Sequence, residues 1–517
     1  MTTPRRHFRP NAFFATVNPS VFIASAIIIG GFVGFGVLAP TAAAKAFSAV
    51  HAFITQYLGW GYLLTVSFFV VFLLWLAASR YGTIRLGQPN DRPQFRFSAW
   101  FAMLFSAGMG IGLVFWGVAE PILHYQNPPM GEAGTPHAAR QAMIYSFYHW
   151  GLHAWAVYVM LGLSVAYFSY RHRLPLTIRS IFYPLLGDRI YGPIGHGIDV
   201  LAVFGTLFGL ATSLGFGAMQ LNTGLNVLFG LPVSPAWQVG IIGAITSLAV
   251  ISVLSGIDRG LKWLSLFNLG LALVFMAFVF VAGPSLFLLR FLLDSVGGYF
   301  QQIIGMSLYT GAIEGSEWQK QWTMFYWGWW IAWSPFVGIF IARISKGRTI
   351  REFIVGVLGL PTLFVFVWLT VFGGTALHLE LFSPALSIAE AVNQDTTVAL
   401  YQMLAALPWS ELSSAIATLL IATYFVTSSD SGTFVVDALI SRGAKHSPRR
   451  QRVIWGLTEG AVAATLLIMG GEQALQSLQT GALTAGLPVA LILLVSSVSL
   501  LRALRREYEV PGVQPQI

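Results

Sequence analysis

Residues 108–121 read GMGIGLVFWGVAEP, and this stretch decides the fold. It belongs to an apolar run, about 98–118, that is long enough to cross a bilayer. Each glycine costs about 1 kcal/mol inside a helix, so the cluster Gly108, Gly110 and Gly112 predicts a break in that helix. Irregular backbone at membrane depth frees N–H and C=O groups that must find partners. The stretch therefore predicts an interrupted membrane helix whose backbone can contribute to a binding site.

Composition places the chain among membrane proteins. Of its 517 residues, 56% are hydrophobic and 9% are Asp, Glu, Lys or Arg. Soluble domains carry roughly 25% charged residues, so this chain has too little charge to cover a water-exposed surface. Because a spanning helix needs about 20 apolar residues, the hydrophobic runs predict an all-α integral membrane protein with twelve transmembrane helices. These spans are 20–39, 59–79, 98–118, 142–170, 196–220, 236–255, 262–283, 322–342, 353–374, 411–438, 453–470 and 480–500.

The basic residues predict the orientation of the spans. The loops on one side hold 25 of the 29 Lys and Arg residues, and positively charged loops stay in the cytoplasm. Both termini are therefore expected to be cytoplasmic, as a tail at 1–19 and a short tail at 501–517. The net charge of +9 is then a topology signal, which argues against nucleic-acid binding. The absence of cysteine excludes disulfides and thiol catalysis.

A second unusual stretch lies five spans further along the chain. Residues 333–336 read WSPF in the middle of the eighth span, where proline removes a backbone hydrogen bond and kinks a helix. Because five spans separate them, spans three and eight cross the membrane in opposite senses. Two broken helices in this relation predict inverted five-helix repeats at 98–283 and 322–500, preceded by two helices at 20–79. Small residues for close helix packing are the alternative explanation.

Inverted repeats with broken helices are typical of secondary transporters. The sequence holds no Walker-type glycine loop for ATP, so an ion or solute gradient is expected to supply the energy. A channel would need a continuous polar stripe through several helices. A membrane enzyme would need clustered His, Asp or Glu. The sparse charges favour neither class, and no cofactor is expected beyond a coupling ion.

Two segments are assigned to the outer face. Residues 284–303 have apolar runs interrupted by Arg290 and Asp294, which predicts an amphipathic helix along the membrane surface, followed by a loop to residue 321. Residues 375–410 hold three acidic residues and no Lys or Arg. They form either short helices that cap the outer face or a solvated connection, and we prefer the connection.

Aromatic residues concentrate in spans four and eight. Residues 149–158 read HWGLHAWAVY, and residues 326–333 read YWGWWIAW. Trp150, Trp155 and Tyr158 follow at intervals of five and three, so they can share one helix face. Several electron-rich rings that converge at mid-membrane can bind a methylated ammonium group, at about 0.5–2 kcal/mol per ring. From the residues alone, a cage of this kind and bulky core packing both remain open.

Four segments resemble the betaine/choline/carnitine transporter family. They are GMGIGLVFWGVAEPILHY (108–125), HWGLHAWAVY (149–158), FYWGWWIAWSPFVGIFIARISKGRTIREF (325–353) and YFVTSSDSG (424–432). The resemblance covers nearly the whole chain. It implies twelve helices with a LeuT-type 5+5 inverted repeat over helices 3–12, broken helices 3 and 8, and a homotrimer. It also implies transport of quaternary-ammonium compatible solutes across a bacterial cytoplasmic (inner) membrane, in contact with lipid.

The family's substrate site can be placed residue by residue. Trp150, Trp155, Tyr158 and Trp330 match its aromatic box, and Trp329 and Trp333 match further rings along the substrate path. Trp329 follows directly before Trp330 in the sequence, so a packing role is equally open for it. The unwound segment around Met109, Gly110 and Gly112 would present its backbone to the substrate carboxylate and the ion.

The resemblance also implies an ion site. In sodium-coupled relatives, span-three carbonyls near Met109 combine with span-ten hydroxyls, and this chain offers Thr427, Ser428 and the carbonyl of Tyr424. Thr206 matches one hydroxyl of a second sodium site, but Leu210 replaces the other. Ser and Thr in membrane helices also simply bond back to the backbone. Sodium is the expected coupling ion, and proton coupling is the alternative.

The remaining polar residues refine the prediction. Some choline-carrying relatives have Asp at the position of Gly112, so glycine here favours glycine betaine over choline, and transport of choline or carnitine is the alternative. Glu120 and Asp430 lie near expected helix breaks, and Glu120 is expected to bond freed backbone N–H groups. His149 and His153 flank the cage, where a hydrogen-bonded structural role is preferred to a proton relay.

Overall fold

The computed structural model describes residues 14, 16–108, 110–255, 258–313, 317–441 and 448–509. Their secondary structure is helical, and the strand-like pairing among them is one isolated bridge between Arg85 and Thr349. The predicted all-α class is therefore confirmed. The predicted tails at 1–19 and 501–517 lie in large part outside the described residues, as does Met109.

The first half of the described chain forms twelve α-helices. These are α1 (Pro19–Leu38), α2 (Pro40–Phe53), α3 (Gly59–Ala78), α4 (Phe97–Gly108), α5 (Ile111–Gln126), α6 (Pro136–Trp150), α7 (Leu152–Ala166), α8 (Tyr183–Leu186), α9 (Pro193–Phe229), α10 (Pro235–Ser255), α11 (Asp258–Ala282) and α12 (Ser285–Leu308). A π-helical turn at Ile54–Leu58 joins α2 to α3, and a second one at Tyr167–Arg171 extends α7.

The second half of the described chain forms eight further α-helices. These are α13 (Glu317–Gln321), α14 (Thr323–Ile344), α15 (Ile350–Phe382), α16 (Ile388–Gln394), α17 (Ala399–Ala405), α18 (Ser410–Ile440), α19 (Arg449–Gly470) and α20 (Ala474–Glu509). A 3-10 turn at Gly471–Gln473 connects α19 to α20.

Among the described residues, ten helical segments are long and apolar enough to span a membrane. This confirms a membrane protein. The count differs from twelve at two places. The third predicted span is divided between α4 and α5, and the last two predicted spans fall in one segment, Arg449–Glu507, that contains both α19 and α20. The number twelve therefore stays a prediction.

The break predicted in the third span is present. Helix α4 ends at Gly108 and α5 begins at Ile111. Gly110 precedes α5 with φ −172° and ψ −179°, which is fully extended backbone. Its carbonyl accepts hydrogen bonds from the N–H groups of Leu113 and Val114. The glycine cluster thus ends one helix and starts another at membrane depth, as the sequence indicated.

The break predicted in the eighth span is wrong, because α14 continues through Pro335. A proline at position 335 cannot donate to the carbonyl of Ile331, its partner in an ordinary helix. The hydroxyl of Ser334 donates to that same carbonyl at 2.7 Å. The neighbouring serine therefore replaces the hydrogen bond that proline removes, and the helix is not interrupted.

A break that the sequence did not predict divides the fourth span. Helix α6 ends at Trp150 and α7 begins at Leu152, with Gly151 between them at φ −89° and ψ −135°. A Cβ atom at Gly151 would lie 2.5 Å from the carbonyl oxygen of Phe147 and 2.9 Å from the ring of Phe366. The site therefore requires glycine because the backbone packs too tightly for a side chain.

The two segments assigned to the outer face have different outcomes. Helix α12 occupies the position of the expected amphipathic helix and packs against α6 and α15. The preferred solvated connection at 375–410 is wrong, because α16 and α17 fill it and pack against α5. Two of the three acidic residues there accept backbone N–H groups at helix starts: Glu380 accepts that of Ala389, and Asp395 accepts that of Thr397.

Helices α6, α7, α9 and α14 form the interior of the bundle. In the segments that contain them, 94% (α6 and α7), 89% (α9) and 83% (α14) of the most apolar window is buried, against 22% for α1 and for α11. Helix α14 packs against α7, α9 and α20. Since α14 carries the tryptophan-rich stretch, this packing places those rings at the centre of the protein.

Candidate substrate-binding site

Five aromatic side chains from three helices meet at the centre of the bundle. Trp150 ends α6, Trp155 and Tyr158 lie on α7, and Trp329 and Trp330 lie on α14; we call these five the aromatic cluster. Their ring centroids form a chain of contacts: Trp155–Tyr158 at 5.4 Å, Tyr158–Trp330 at 6.2 Å, Trp150–Trp330 at 4.8 Å and Trp329–Trp330 at 4.7 Å. All five are buried.

The break at Gly151 contributes to this convergence. It separates Trp150 from Trp155 and Tyr158, which would share one face of an uninterrupted helix. The two α7 rings meet edge to face at 80°, and Trp150 meets Trp330 at 68°. In both pairs the edge of one ring meets the face of the other. Ring faces carry the negative part of the aromatic quadrupole and attract cations.

Two members of the aromatic cluster are fixed by hydrogen bonds. The indole N–H of Trp150 donates to Oε2 of Glu120 at 2.7 Å. The indole N–H of Trp330 donates to the carbonyl oxygen of His149 at 2.8 Å. Both rings therefore have a defined orientation, which an apolar contact alone does not provide.

Glu120 is the centre of a buried polar network. Besides Trp150, it contacts the hydroxyl of Tyr326, which donates to Oε2 at 2.5 Å. Nδ1 of His149 lies 2.6 Å from Oε1, and Nε2 of His124 lies 3.1 Å from it. None of these partners is a backbone N–H, so the role expected for Glu120 is corrected. We call these five residues the Glu120 network.

The two predicted histidine roles have separate outcomes. His149 is hydrogen-bonded at both ring nitrogens, since Nε2 lies 3.0 Å from the hydroxyl of Thr323. Nε2 of His153 lies 2.8 Å from the hydroxyl of Ser307. Its ring stacks on Trp327 at 5.5 Å. Both histidines are thus bonded within the helix bundle, which agrees with the preferred structural role.

Glu120, His124 and His149 also have the composition of a metal site. One ligand atom from each residue lies within 4.8 Å of the others. However, both carboxylate oxygens of Glu120 already have hydrogen-bond partners. Oε2 accepts from Trp150 and Tyr326, and Oε1 is hydrogen-bonded to His149 and His124. The carboxylate is therefore fully engaged in positioning side chains. The arrangement fits a hydrogen-bonded scaffold for the aromatic cluster.

The spacing of residues on α5 contains a signal for this network. Gly112, Trp116, Glu120 and His124 follow at intervals of four, so they lie along one face of α5. That face points toward α14: Trp116 contacts the rings of Trp322 and Tyr326. An ionisable residue on the same face as a predicted substrate-site glycine is a functional candidate in a membrane protein.

The predicted glycines occupy the start of α5, next to the aromatic cluster. A Cβ atom at Gly112 would lie 2.5 Å from Cη2 of Trp329 and 3.3 Å from Cη2 of Trp150. At Gly110 a Cβ atom would have no other atom within 4 Å, so this backbone borders open space. The first N–H groups of a helix have no partner within the helix, and they attract carboxylates.

Trp333 lies apart from the aromatic cluster. Its ring is partly buried and contacts Phe336 on α14 at 5.1 Å. Its backbone N lies 3.1 Å from the position of a Cβ atom on Gly209 of α9. The structure therefore groups five of the six predicted rings. Trp329 belongs to that group, because it stacks on Trp330 with an interplanar angle of 16°.

Two of the predicted ion-site hydroxyls, those of Thr206 and Thr427, donate to carbonyls of their own helices, and Thr427 also accepts from the side-chain amide of Asn268 on α11 at 3.4 Å. The hydroxyl of Thr206 donates to the carbonyl of Ala202 at 2.7 Å. The hydroxyl of Thr427 lies 3.1 Å from the carbonyl of Thr423 and 3.2 Å from that of Tyr424. Ser428 is half-buried on the same helix, α18. Met109, the predicted partner on span three, lies outside the described residues, so the sodium site stays a prediction.

Comparison with known proteins gives a consistent result. A family model described as betaine/carnitine/choline family transporter matches residues 20–509. A probable glycine betaine transporter of Desulfitobacterium hafniense is 44% identical over 491 residues, which cover 95% of this chain and 98% of that protein. The glycine betaine transporter OpuD of Bacillus subtilis is 45% identical over 491 residues, 94% of each chain. The chain belongs to the betaine/carnitine/choline transporter family.

A third relative in this family widens the range of substrates. The osmo-dependent choline transporter BetT2 of Acinetobacter baylyi is 41% identical over 495 residues, which cover 95% of this chain and 72% of that protein. The membership confirms a membrane transporter, as predicted, rather than an enzyme. It also confirms the class of substrate, a small quaternary ammonium compound.

Proposed function

We propose that this transporter imports glycine betaine by alternating access. The observation that carries the proposal is the convergence of Trp150, Trp155, Tyr158 and Trp330, two of which are fixed by indole hydrogen bonds. Ring faces attract a quaternary ammonium group at about 0.5–2 kcal/mol per ring. Trp333, which lies apart, would line the path to this site.

The start of α5 supplies the second half of the proposed site. Glycine betaine carries a carboxylate in addition to its ammonium group. The N-terminal backbone of α5, at Gly110 and Gly112, borders the aromatic cluster, and helix N-termini favour negative charge. A zwitterion could therefore contact both groups at once. Choline lacks a carboxylate and would use the aromatic half alone, which favours betaine over choline.

We further propose that sodium drives uptake. Met109, Tyr424, Thr427 and Ser428 would supply oxygen atoms from spans three and ten, and Thr206 would belong to an incomplete second site. Because the hydroxyls of Thr206 and Thr427 bond to their own helices, ion binding would require Thr427 to exchange a backbone partner for the ion. Sodium-independent or proton-coupled choline transport is the alternative, supported by the likeness to the choline transporter BetT2.

The same proposal includes the arrangement in the membrane. It comprises twelve spans with a LeuT-type inverted repeat, a homotrimer and residence in a bacterial inner membrane. The distribution of basic residues supports placing both termini in the cytoplasm. In α1 and in the apolar part of α11, only 22% of the residues of the most apolar window are buried. Such surfaces suit contact with lipid or with neighbouring subunits.

Counterflow in proteoliposomes tests the function. Purified protein is reconstituted into proteoliposomes, which are loaded with unlabelled glycine betaine, choline or carnitine. Entry of labelled betaine is then followed with and without a sodium gradient. We expect counterflow with betaine and net uptake that requires sodium. Uptake without sodium that follows a pH gradient would identify the proton-coupled alternative, and counterflow with choline alone would exclude the proposed substrate.

The variant Trp330→Leu tests the aromatic cluster directly. Leucine is apolar and fills part of the space, but it has no π face for an ammonium group. We expect betaine uptake to be abolished while the protein still inserts and purifies normally. Trp263→Leu is the matched control, because Trp263 is an exposed residue on α11. Uptake by Trp330→Leu at the control level would contradict the proposed site.

A further inference from the structure

A second buried carboxylate lies outside the substrate site, on α19. Glu459 is fully buried, and its neighbours are Ser429, Asp430 and Thr433 of α18. Thr246 of α10 lies next to the following residue, Gly460. Its hydroxyl is 2.6 Å from the position that a Cβ atom would take on Gly460. Helices α10, α18 and α19 pack against one another and enclose this group. We call these five residues the Glu459 cluster.

The two carboxylates of the cluster lie at the same level in the membrane. Asp430 is ten residues before the end of α18 at Ile440, and Glu459 is ten residues after the start of α19 at Arg449. At 1.5 Å per residue, both are about 15 Å from the connection between these helices. Both residues therefore lie well inside their spans rather than at an interface.

Polar atoms in the cluster are left without regular partners. Neither oxygen of Glu459 completes a hydrogen bond of regular geometry, although the hydroxyls of Ser429 and Thr433 are its nearest polar neighbours. The buried hydroxyls of Ser429 and Thr246 are also without such a partner. An isolated ionised carboxylate in an apolar interior is costly, and such groups become neutral instead.

Glu120 provides the contrast within the same protein. Both carboxylates are fully buried. Glu120 forms hydrogen bonds with four side chains, and two of these, Trp150 and Tyr326, donate to its Oε2. Hydrogen bonds to the charged form favour ionisation. Glu459 lacks that set of donors and has a second carboxylate, Asp430, as a neighbour. Two carboxylates that share a site do not both ionise readily.

Few other charged groups can reach Glu459. Helices α1 and α10 contain no Asp, Glu, Lys, Arg or His, and the first such residue on α20 is Arg502. On α9, Asp199 pairs with Arg179, and on α18, Asp437 pairs with Arg452. Helix α2 meets α19 near Met469 and Gly470, ten residues or more beyond Glu459. Asp430 is thus the charged residue that acts on Glu459.

We propose that Glu459 is a proton-binding site. At neutral pH it holds one proton as a carboxylic acid, next to the hydroxyls of Ser429 and Thr433. Release of that proton to the aqueous solution leaves a carboxylate, and the hydroxyls of Ser429 and Thr433 can rotate to donate hydrogen bonds to it. The step moves one proton and no electrons. That this proton moves during uptake rests on the proposed transport function, whereas the site itself does not.

Infrared difference spectroscopy on the purified full-length protein tests the site. At neutral pH we expect the wild-type spectrum to contain the carbonyl stretching band of a buried protonated carboxylic acid. The frequency of this band should shift when H₂O is replaced by D₂O. The band should be lost in Glu459→Gln and moved, rather than lost, in Glu459→Asp. It should persist in Glu120→Gln, the matched buried carboxylate. Persistence of the band in Glu459→Gln, or its absence from the wild-type protein, overturns the proposal.

A second measurement separates this site from the transport function. Glycine betaine is added to the protein in weakly buffered solution, and the pH is followed. A pH change that disappears in Glu459→Gln supports proton coupling. The protonated band without any pH change overturns the coupling but leaves the site. A band that is replaced by a sodium-dependent carboxylate signal identifies a sodium ligand instead and overturns the proton assignment.

Discussion

At the scale of single residues, Glu120 orients the aromatic cluster through hydrogen bonds. Its Oε2 accepts from both Trp150 and Tyr326, so one oxygen fixes a ring on α6 and a ring on α14. Tyr326 in turn stacks on Trp330 at 5.7 Å. A single carboxylate therefore couples α6 and α14, two of the three helices that carry the aromatic cluster. We expect its removal to disturb substrate binding more than folding.

The variant Glu120→Gln tests this positioning role. Glutamine keeps one acceptor oxygen, but its NH₂ group faces N–H and O–H donors that require an acceptor. Hydrogen bonds to charged groups contribute about 1.5–3 kcal/mol, so we expect KM for betaine to rise by about tenfold or more. The change in kcat should be smaller. The measurement is initial-rate uptake in proteoliposomes over a range of betaine concentrations.

Glu132→Gln is the control for this prediction. Glu132 lies in the exposed loop before α6. The substitution is chemically the same as Glu120→Gln, but it affects no buried hydrogen bond. We expect its KM to match the wild-type value. Equal KM values for both variants would show that the Glu120 network has no effect on the substrate site.

Gly112 gives a second prediction at this scale. A Cβ atom there would lie 2.5 Å from the ring of Trp329, which is closer than carbon atoms approach without displacement. Gly112→Ala should therefore displace the ring of Trp329 and, with it, the ring of Trp330 that stacks on it. We expect the affinity for betaine to fall at least several-fold. Gly240→Ala is the control, because its Cβ atom would meet nothing within 4 Å. Affinity is measured by tryptophan fluorescence titration and by uptake.

Single residues also show what the sequence could and could not predict. The aromatic rings were found because large side chains in mid-span are unusual and follow a motif. The Glu120 network was missed because its partners come from three helices, and no spacing within one helix shows Glu120 next to Tyr326. The ring of Trp329 was left ambiguous for the same reason. Its position depends on how α14 is rotated against α5 and α6.

At the scale of elements, glycine and proline had opposite outcomes. The three alternating glycines correctly predicted the end of α4 and the start of α5. Gly151 was missed because a single glycine in a span is common in membrane helices. Pro335 was expected to interrupt α14, but the hydroxyl of Ser334 occupies the carbonyl of Ile331. Helix breaks therefore depend on whether a neighbour can replace the lost hydrogen bond.

The variant Ser334→Ala tests this replacement. It leaves the buried carbonyl of Ile331 without the hydroxyl, and an unsatisfied buried group costs about 1–3 kcal/mol. We expect a lower Tm in detergent, followed by tryptophan fluorescence. The effect should be much smaller in the background Pro335→Ala, where a backbone N–H is again available to that carbonyl. An equal loss in both backgrounds would contradict the proposed compensation.

A matched serine supplies the control for α14. The hydroxyl of Ser496 donates to the carbonyl of Leu493 at 2.8 Å in α20, and no proline follows within that turn. The N–H of Ser497 is available to the same carbonyl, so Ser496→Ala should leave no group unpaired. We expect its Tm to stay close to the wild-type value.

At the scale of the whole molecule, helix length bears on the predicted number of spans. The segment Arg449–Glu507 has 59 residues, which at 1.5 Å per residue would be about 88 Å long as one straight helix. A bilayer core is about 30 Å thick, so a single crossing does not fit. The turn at Gly471–Gln473 and the packing of α19 against α20 divide this segment into two helices side by side. Two crossings in opposite directions satisfy both lengths.

Cysteine labelling tests this arrangement, because the chain has no cysteine of its own. Single substitutions are made at exposed residues: Glu472→Cys between α19 and α20, Arg505→Cys near the end of α20, and Glu132→Cys and Asn90→Cys as references. A membrane-impermeant maleimide is applied to intact cells. The basic loops predict labelling from outside at positions 132 and 472 and protection at positions 90 and 505. Labelling of 472 and 505 from the same side would contradict twelve spans, since the polypeptide between them would then not cross the membrane.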